Sequence, residues 1–298
     1  MIALRIRHTT TYRYGKPVSL RPHRLMLRPR ESRELRLLSL ELVVEPRPVV
    51  TWAQDVAGNV VASASFRTMT DRLSIGSVAE LQLDAVASPV FEVAASAMFY
   101  PFQYREDERT DLGALAIPQH PDPTGRLRQW AQAYVRGDPT DTLALLKDIN
   151  AGVPSWISHE RRDDEGTQSP LETLDRGRGS CRDLAVLFVE AVRALGFGAR
   201  IVSGYLHDPL DGAVGAAASG TTHAWAEIYV PGAGWITFDP TNRRVGGANL
   251  IPVAVGRDIG QVMPVAGSFV GMSDAFEGMS VDVRVSESSS RSREPQVS

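Results

Sequence analysis

Alternation of apolar and polar positions dominates the first part of the chain. Residues 2–7 set Ile2, Leu4 and Ile6 on one side and Ala3, Arg5 and Arg7 on the other, the two-residue period of a half-buried strand. Leu38, Leu40, Leu42 and Val44 alternate with Ser39, Glu41 and Val43, and Ile75, Leu81 and Leu83 mark another strand around residues 73–85. Between them Gly58-Asn59 predicts a tight turn joining the segments around Trp52 and Val60. Residues 1–100 are therefore expected to form an antiparallel, β-sandwich-like module.

The pattern then changes. Residues 101–123 are punctuated by proline, carry no sustained period and read as a connection. Leu127, Trp130, Ala131 and Tyr134 fall at helical spacing, as do Leu143, Leu146, Ile149 and Val153, so Trp130 and Trp156 are expected as core anchors. Ser169-Pro170 pairs a capping residue with proline at the first helical position, and Gly177 and Gly179 break that helix. From Cys181 onward Leu184, Phe188, Ala191 and Leu195 describe one apolar face, with Gly196 where a C-terminal cap is expected. Strand patterns follow at 199–206, 222–230 and 235–239, the last two joined by Pro231-Gly232-Ala233-Gly234. The fold class is thus α+β. Its second domain, residues 124–285, sets a helix bearing cysteine on an antiparallel sheet. Val281, Val283 and Val285 alternate once more before a Ser/Arg-rich tail, 286–298, whose composition predicts disorder.

Composition narrows the function classes. A hydrophobic content of 43% and a charged content of 22% are those of a globular protein. The net charge of -3 argues against nucleic acid as the partner. Residues 1–50 hold eleven Arg and Lys against four Glu, but several of these arginines alternate with apolar residues, as on the solvent face of a sheet. The first ten residues have no continuous apolar region of signal-peptide type, and no apolar run reaches the ~18 residues needed to cross a bilayer. No membrane partner is expected, and the cytoplasm is the expected compartment.

One cysteine is present, so no intrachain disulfide forms. A free cysteine is ordinarily a small buried hydrophobe, but Cys181 stands at the start of a helix, where oriented N–H groups and the dipole favour thiolate. Asp183, in the same first turn, is read either as a helix cap or as a residue shaping the site. Arg178-Gly179-Ser180 lets the chain turn sharply while keeping bulk away from an approaching carbonyl. Among the histidines, His8 and His23 lie in the N-terminal module, His120 in the connection and His207 beside a loop. His223 opens an apolar strand one sheet element from the cysteine helix. Asp239 ends the next strand before Pro240, where it reads either as a turn residue or as the carboxylate that orients an imidazole. Cys181, His223 and Asp239 together form an ordered set fit for nucleophilic catalysis. A metal site using the same three residues lacks any closely spaced ligand pair, and no cofactor is expected. If residues 231–234 made a symmetric tight turn, Asp239 would lie about 10 Å along the strand from His223, so a looser turn or a bulge is expected.

The run Gly179-Ser180-Cys181-Arg182-Asp183-Leu184-Ala185, then Ala194-Leu195-Gly196 and Ala199-Arg200-Ile201-Val202-Ser203-Gly204-Tyr205, resembles the bacterial transglutaminase-like family. So do His223-Ala224-Trp225, Gly234-Trp235 and Asp239-Pro240-Thr241-Asn242. Trp52 with Asp55, Gly58 and Asn59 is similar to that family's N-terminal β region. Gly256-Arg257-Asp258 with Val262, Pro264 and Gly267 is similar to its C-terminal signature, with Ile259-Gly260 where relatives carry an aromatic and an acidic residue. The resemblance implies a papain-like, transglutaminase-like core and a catalytic triad of Cys181, His223 and Asp239. It also implies a thioester intermediate and a peptide or protein amide as substrate. Water as acceptor would make a cysteine peptidase or amidase, a primary amine a transglutaminase; members of the family also include inactive scaffolds, so a binding protein stays open. The small-residue run Gly212 to Gly220 reads either as a cover over the triad or as a surface loop.

Overall fold

The computed structural model describes residues 1–160, 166–207 and 221–288. The alternating N-terminal segments form β1 (Ile2–Leu20), β2 (His23–Leu25), β3 (Leu35–Glu45), β4 (Val49–Gln54), β5 (Val60–Ser65) and β6 (Met69–Leu83). One antiparallel sheet holds β1, β6 and β3, and a second holds β2, β5 and β4. The long β1 serves two cores. Tyr14, Val18 and Leu20 pack between the sheets with Leu25, Ala62, Leu73 and Ile75, whereas Leu4 and Ile6 pack toward the second half of the chain. The alternation expected across Leu38 is interrupted: Leu37 pairs with Leu81 and Ser39 with Glu80, so Leu38 is an extra, unpaired residue and is exposed.

The Gly58 turn is present, with φ 75°, and it also docks the module. Asp55 Oδ1 accepts from the backbone N–H groups of Ala57 and Asn59 at 2.9 Å. The Asn59 amide so oriented exchanges two hydrogen bonds with the main chain of Val255, at 2.7 and 2.9 Å. A side chain thereby acts as one rung of a β-ladder on the edge of the other domain.

Just before the stretch expected as a connection lies β7 (Phe99–Tyr100), and within that stretch is a short helix, α1 (Glu106–Leu112), with three acidic residues in its first turn. Then come α2 (Arg126–Gln132), β8 (Thr140–Asp141), which pairs with β7, and α3 (Thr142–Trp156). Trp130 is half-buried against the core, but Trp156 is 65% exposed and is no core anchor, because α3 ends there and turns its last residue outward. Beyond it lie β9 (Ser158–His159), α4 (Pro170–Arg176), β10 (Arg178–Gly179) and α5 (Cys181–Ala194). A five-stranded antiparallel sheet follows, built from β11 (Gly198–Leu206), β12 (Thr221–Val230), β13 (Gly234–Asp239), β14 (Arg244–Val245) and β15 (Leu250–Gly256). Its order is β14-β13-β12-β11-β15.

Helix α5 packs on β12 and β11 and is buried from Asp183 to Arg193, more completely than one apolar face requires. Two of its buried charges pair with each other: Arg193 Nη1 donates to Glu190 Oε1 at 2.7 Å. Glu190 Oε2 accepts from the N–H groups of Gln119 and His120, and Arg193 also donates to the carbonyls of Leu115, Ala199 and Arg257. Each ion is satisfied, as burial demands. The pair ties the connection and the Arg257 segment to the cysteine helix.

The C-terminal segment departs from expectation. Residues up to 285 were expected in the second domain, yet β16 (Val265–Ala266) pairs with β2, and β17 (Phe269–Val270) and β18 (Phe276–Glu287) pair with β1. The chain returns to complete both N-terminal sheets, where Val285 is buried against Leu4 and Ile6. Ser286 and Glu287, expected in the tail, belong to β18; residues 289–298 lie outside the described residues.

Candidate active site

The start of α5 is fixed by short-range contacts. Gly177, with φ 63°, closes α4 by donating its N–H to Thr173 O, and the chain then runs straight through β10 into Ser180. Asp183 is wholly buried, and its carboxylate accepts from Ser180 N–H and Ser180 Oγ at 2.8 Å and from Gln168 N–H at 2.7 Å. It therefore caps the helix and also pins the segment before α4 to the site, joining the two roles that the sequence left open. Gly179 is needed for a closer reason than turning: a Cβ there would sit 2.9 Å from Asp183 Cβ. Cys181 is left as the first residue of α5, partly exposed.

His223 lies near the start of β12, and Asp239 ends β13. Their register is set by Ala226 opposite Phe238, Ile228 opposite Ile236 and Val230 opposite Gly234, with no bulge. Continued one step, it sets Asp239 level with Trp225, two residues from His223 and on the same face of the sheet. Such diagonal neighbours are about 7–8 Å apart at the backbone, within reach of an imidazole and a carboxylate. His223 Nε2 donates to Asp239 Oδ2 at 2.9 Å. Of the two expected outcomes the looser turn is the one found: Val230 pairs with Gly234, leaving residues 231–233 as the turn, one residue looser than a symmetric 231–234 turn, and side-chain length covers the remaining offset without a bulge. His223 also stacks on Trp225 at 6.0 Å.

The three side chains form a line with His223 in the middle. Burial pushes the Cys181 thiol up, but the hydrogen bond and charge of His223, the N–H of Ala224 and the Arg182 guanidinium together hold it below its ordinary value. Burial pushes His223 down, yet Asp239 and Cys181 outweigh it and the imidazole is pushed up to about 10. Burial likewise raises Asp239, whereas hydrogen bonds from His223 and Asn242 and the imidazolium charge lower it. Each shift favours the charged form of its group, so the three together favour thiolate, imidazolium and carboxylate. With Nε2 committed to Asp239, Nδ1 is the ring atom left for the thiol. Among the described residues no cluster of three or more His, Cys, Asp or Glu is placed to hold a metal ion.

The remaining histidines divide. His8 is buried between Tyr205 Oη, 2.9 Å away, and Thr10 Oγ1, 2.8 Å away. His23 contacts Arg21 O, His120 donates its N–H to Glu190, and buried His207 lies 3.6 Å from Glu287 Oε1. His159 was missed by sequence reasoning. It pairs in parallel with Gly179, two residues before the cysteine, and its ring is lowered by burial and by the charge of His223, opposed by Asp239. Its two-residue strand has no periodic signal that could have placed it there. The Gly212 to Gly220 run lies outside the described residues.

Comparison with known proteins bears on family and fold. Residues 4–82 match the family model of the bacterial transglutaminase-like N-terminal region, and residues 128–240 match that of the transglutaminase-like superfamily. An uncharacterized protein of Mycobacterium leprae is 26% identical over 91% of this chain and 94% of its own length. One of Mycobacterium tuberculosis is 26% identical over 94% and 91%. Among solved structures, a "putative cysteine protease" from Cytophaga hutchinsonii has a TM-score of 0.69 at 19% identity, covering 96% of this chain and 90% of that one, a likeness of fold.

Proposed function

The chain belongs to the bacterial transglutaminase-like family, and we propose that within it the chain is a thiol-dependent acyl-transfer enzyme acting on an amide bond. The observation that carries this reading is the 2.9 Å bond from His223 Nε2 to Asp239 Oδ2, with Cys181 at a helix start on the other side of the imidazole. In this reading the Cys181 thiolate attacks the amide carbonyl carbon. The oxyanion so formed accepts from N–H groups at the start of α5, that of Cys181 among them. The His223 imidazolium gives its proton to the leaving amine as the C–N bond breaks, and a thioester remains. His223, now neutral, takes a proton from the incoming acceptor, whose attack releases Cys181 as thiolate. Asp239 holds the ring in one tautomer and balances its charge throughout.

For the acceptor we favour water, giving a cysteine peptidase or amidase. Water is present at about 55 M, so transfer to an amine needs a site that orients the amine and excludes solvent. Self-crosslinking is disfavoured, because Lys16 and Lys147 are the chain's only lysines. The test is mass spectrometry of the products from a reactive amide substrate in millimolar primary amine. Free acid should exceed amine adduct, and Cys181→Ser should form no acyl-enzyme while melting near the wild-type temperature. Predominant, Cys181-dependent adduct would make the protein a transglutaminase; wild-type turnover by Cys181→Ser would remove the nucleophile assignment.

A further inference from the structure

Asp239 is almost wholly buried at 1% exposure, and its carboxylate accepts four hydrogen bonds within the protein. Oδ1 takes the backbone N–H groups of Thr241 at 3.1 Å and Asn242 at 3.3 Å. Oδ2 takes His223 Nε2 at 2.9 Å and Asn242 Nδ2 at 2.7 Å. Asn242 therefore holds both oxygens, one through its main chain and one through its side chain. Its amide nitrogen also lies 3.5 Å from His223 Nε2. Both atoms carry hydrogens directed at Oδ2, so this contact is an approach of two donors sharing one acceptor. The local backbone is built to keep it so. Residues 240–243 reverse the chain between Asp239 and its register partner Arg244, with Arg243 in the left-handed region at φ 55°, a conformation unfavourable for a residue with a Cβ.

We propose that Asn242 is a positioning residue of the site, donating to Asp239 Oδ2 so that the carboxylate stays turned toward His223. Asn242 itself is exposed, so no surrounding packing explains a side chain held at 2.7 Å from a buried carboxylate. A carboxylate that lost this donor would keep one fixed oxygen, Oδ1, and one free to turn or to meet water. The pull of Asp239 on the imidazolium would weaken, and with it the thiolate.

This inference rests on the triad reading above, and the experiment separates the two. The probe is iodoacetamide, with the rate of Cys181 alkylation followed against pH. Asn242→Leu removes the donor but keeps a side chain of similar size over the Nε2–Oδ2 bond, and Asn242→Ala removes both. Both variants change an exposed turn residue, and thermal melts check that each stays folded. The expected result is that both raise the apparent thiol pKa by about one unit, about tenfold less thiolate on the acid limb. A shift in Asn242→Ala alone would make the residue only a cover and overturn the positioning role. A low wild-type pKa unchanged in both variants would do the same while leaving the triad standing. A wild-type thiol of ordinary pKa would remove the triad reading and this inference with it.

Discussion

Two buried histidines, on strands of different sheets, show what separates a structural imidazole from a reactive one. His8 in β1 is 2% exposed and His223 in β12 is 7% exposed, so burial hardly distinguishes them. Burial pushes His8 down to about 4, the charge of Asp282 opposing only weakly, because its neighbours in contact are the hydroxyls of Tyr205 and Thr10. His223, between a carboxylate and a thiol, is pushed up to about 10. A low dielectric removes the proton from an imidazole that meets only neutral dipoles and keeps it on one that bridges two anions. The two regions are close in the fold: His8 meets Tyr205 in β11, and the adjacent Gly204 is the register partner of His223.

The sharpest way to break the contrast is to give His223 surroundings like those of His8. Asp239→Ala removes the carboxylate, and burial should then dominate. The imidazolium and the thiolate should be lost together, lowering the alkylation rate of Cys181 at pH 7 by about 100-fold, or about two pKa units. An unchanged rate would mean that the helix N-terminus alone activates the thiol.

The two histidines should also shape stability with opposite signs. His8 has a folded value below its unfolded 6.5, so the unfolded chain binds the extra proton between pH 6.5 and about 4. Its contribution to stability is lost as pH falls through that window, by the order of 3 kcal/mol. His223 has a raised folded value, so its contribution is fully present below 6.5 and is lost as pH rises through about 10. Urea titrations across this range should show His8→Gln flattening the acid side and Asp239→Ala the alkaline side. The reverse assignment would contradict the account.

The smallest change sharpens the separation. Tyr205→Phe leaves His8 without one hydroxyl partner and should cost about 1–3 kcal/mol of stability. Cys181 alkylation should stay at the wild-type rate; a slowed alkylation would show that the module interface reaches the site.

The order of catalytic-type residues was legible because each carries a local signal: a glycine-containing turn and a helix start at Cys181, an apolar strand after His223, a strand end at Asp239. What was illegible is long-range. Nothing around Phe269 or Val283 announces that these strands pair with β1 rather than with the neighbouring sheet, since pairing partners so far apart, Leu20 and Phe269 or His8 and Val283, leave no local period. Trp156 fits a helical apolar pattern yet is exposed, because helix spacing does not say where the neighbouring layer ends. Asn59 reads as a turn residue and Asn242 only as part of a run resembling the family; both lie in turns, but their side chains hold Val255 and Asp239. Turn chemistry explains their backbone and not what their amides reach.

The central claim is that Cys181 rests as a thiolate paired with the His223 imidazolium. The pH dependence of Cys181 alkylation by iodoacetamide, in the wild type and in His223→Ala, tests it most directly. The account predicts a wild-type thiol titrating well below ~8.5, the value of a free cysteine, and a return toward that value in His223→Ala. A wild-type value near ~8.5, unmoved by the substitution, would contradict it.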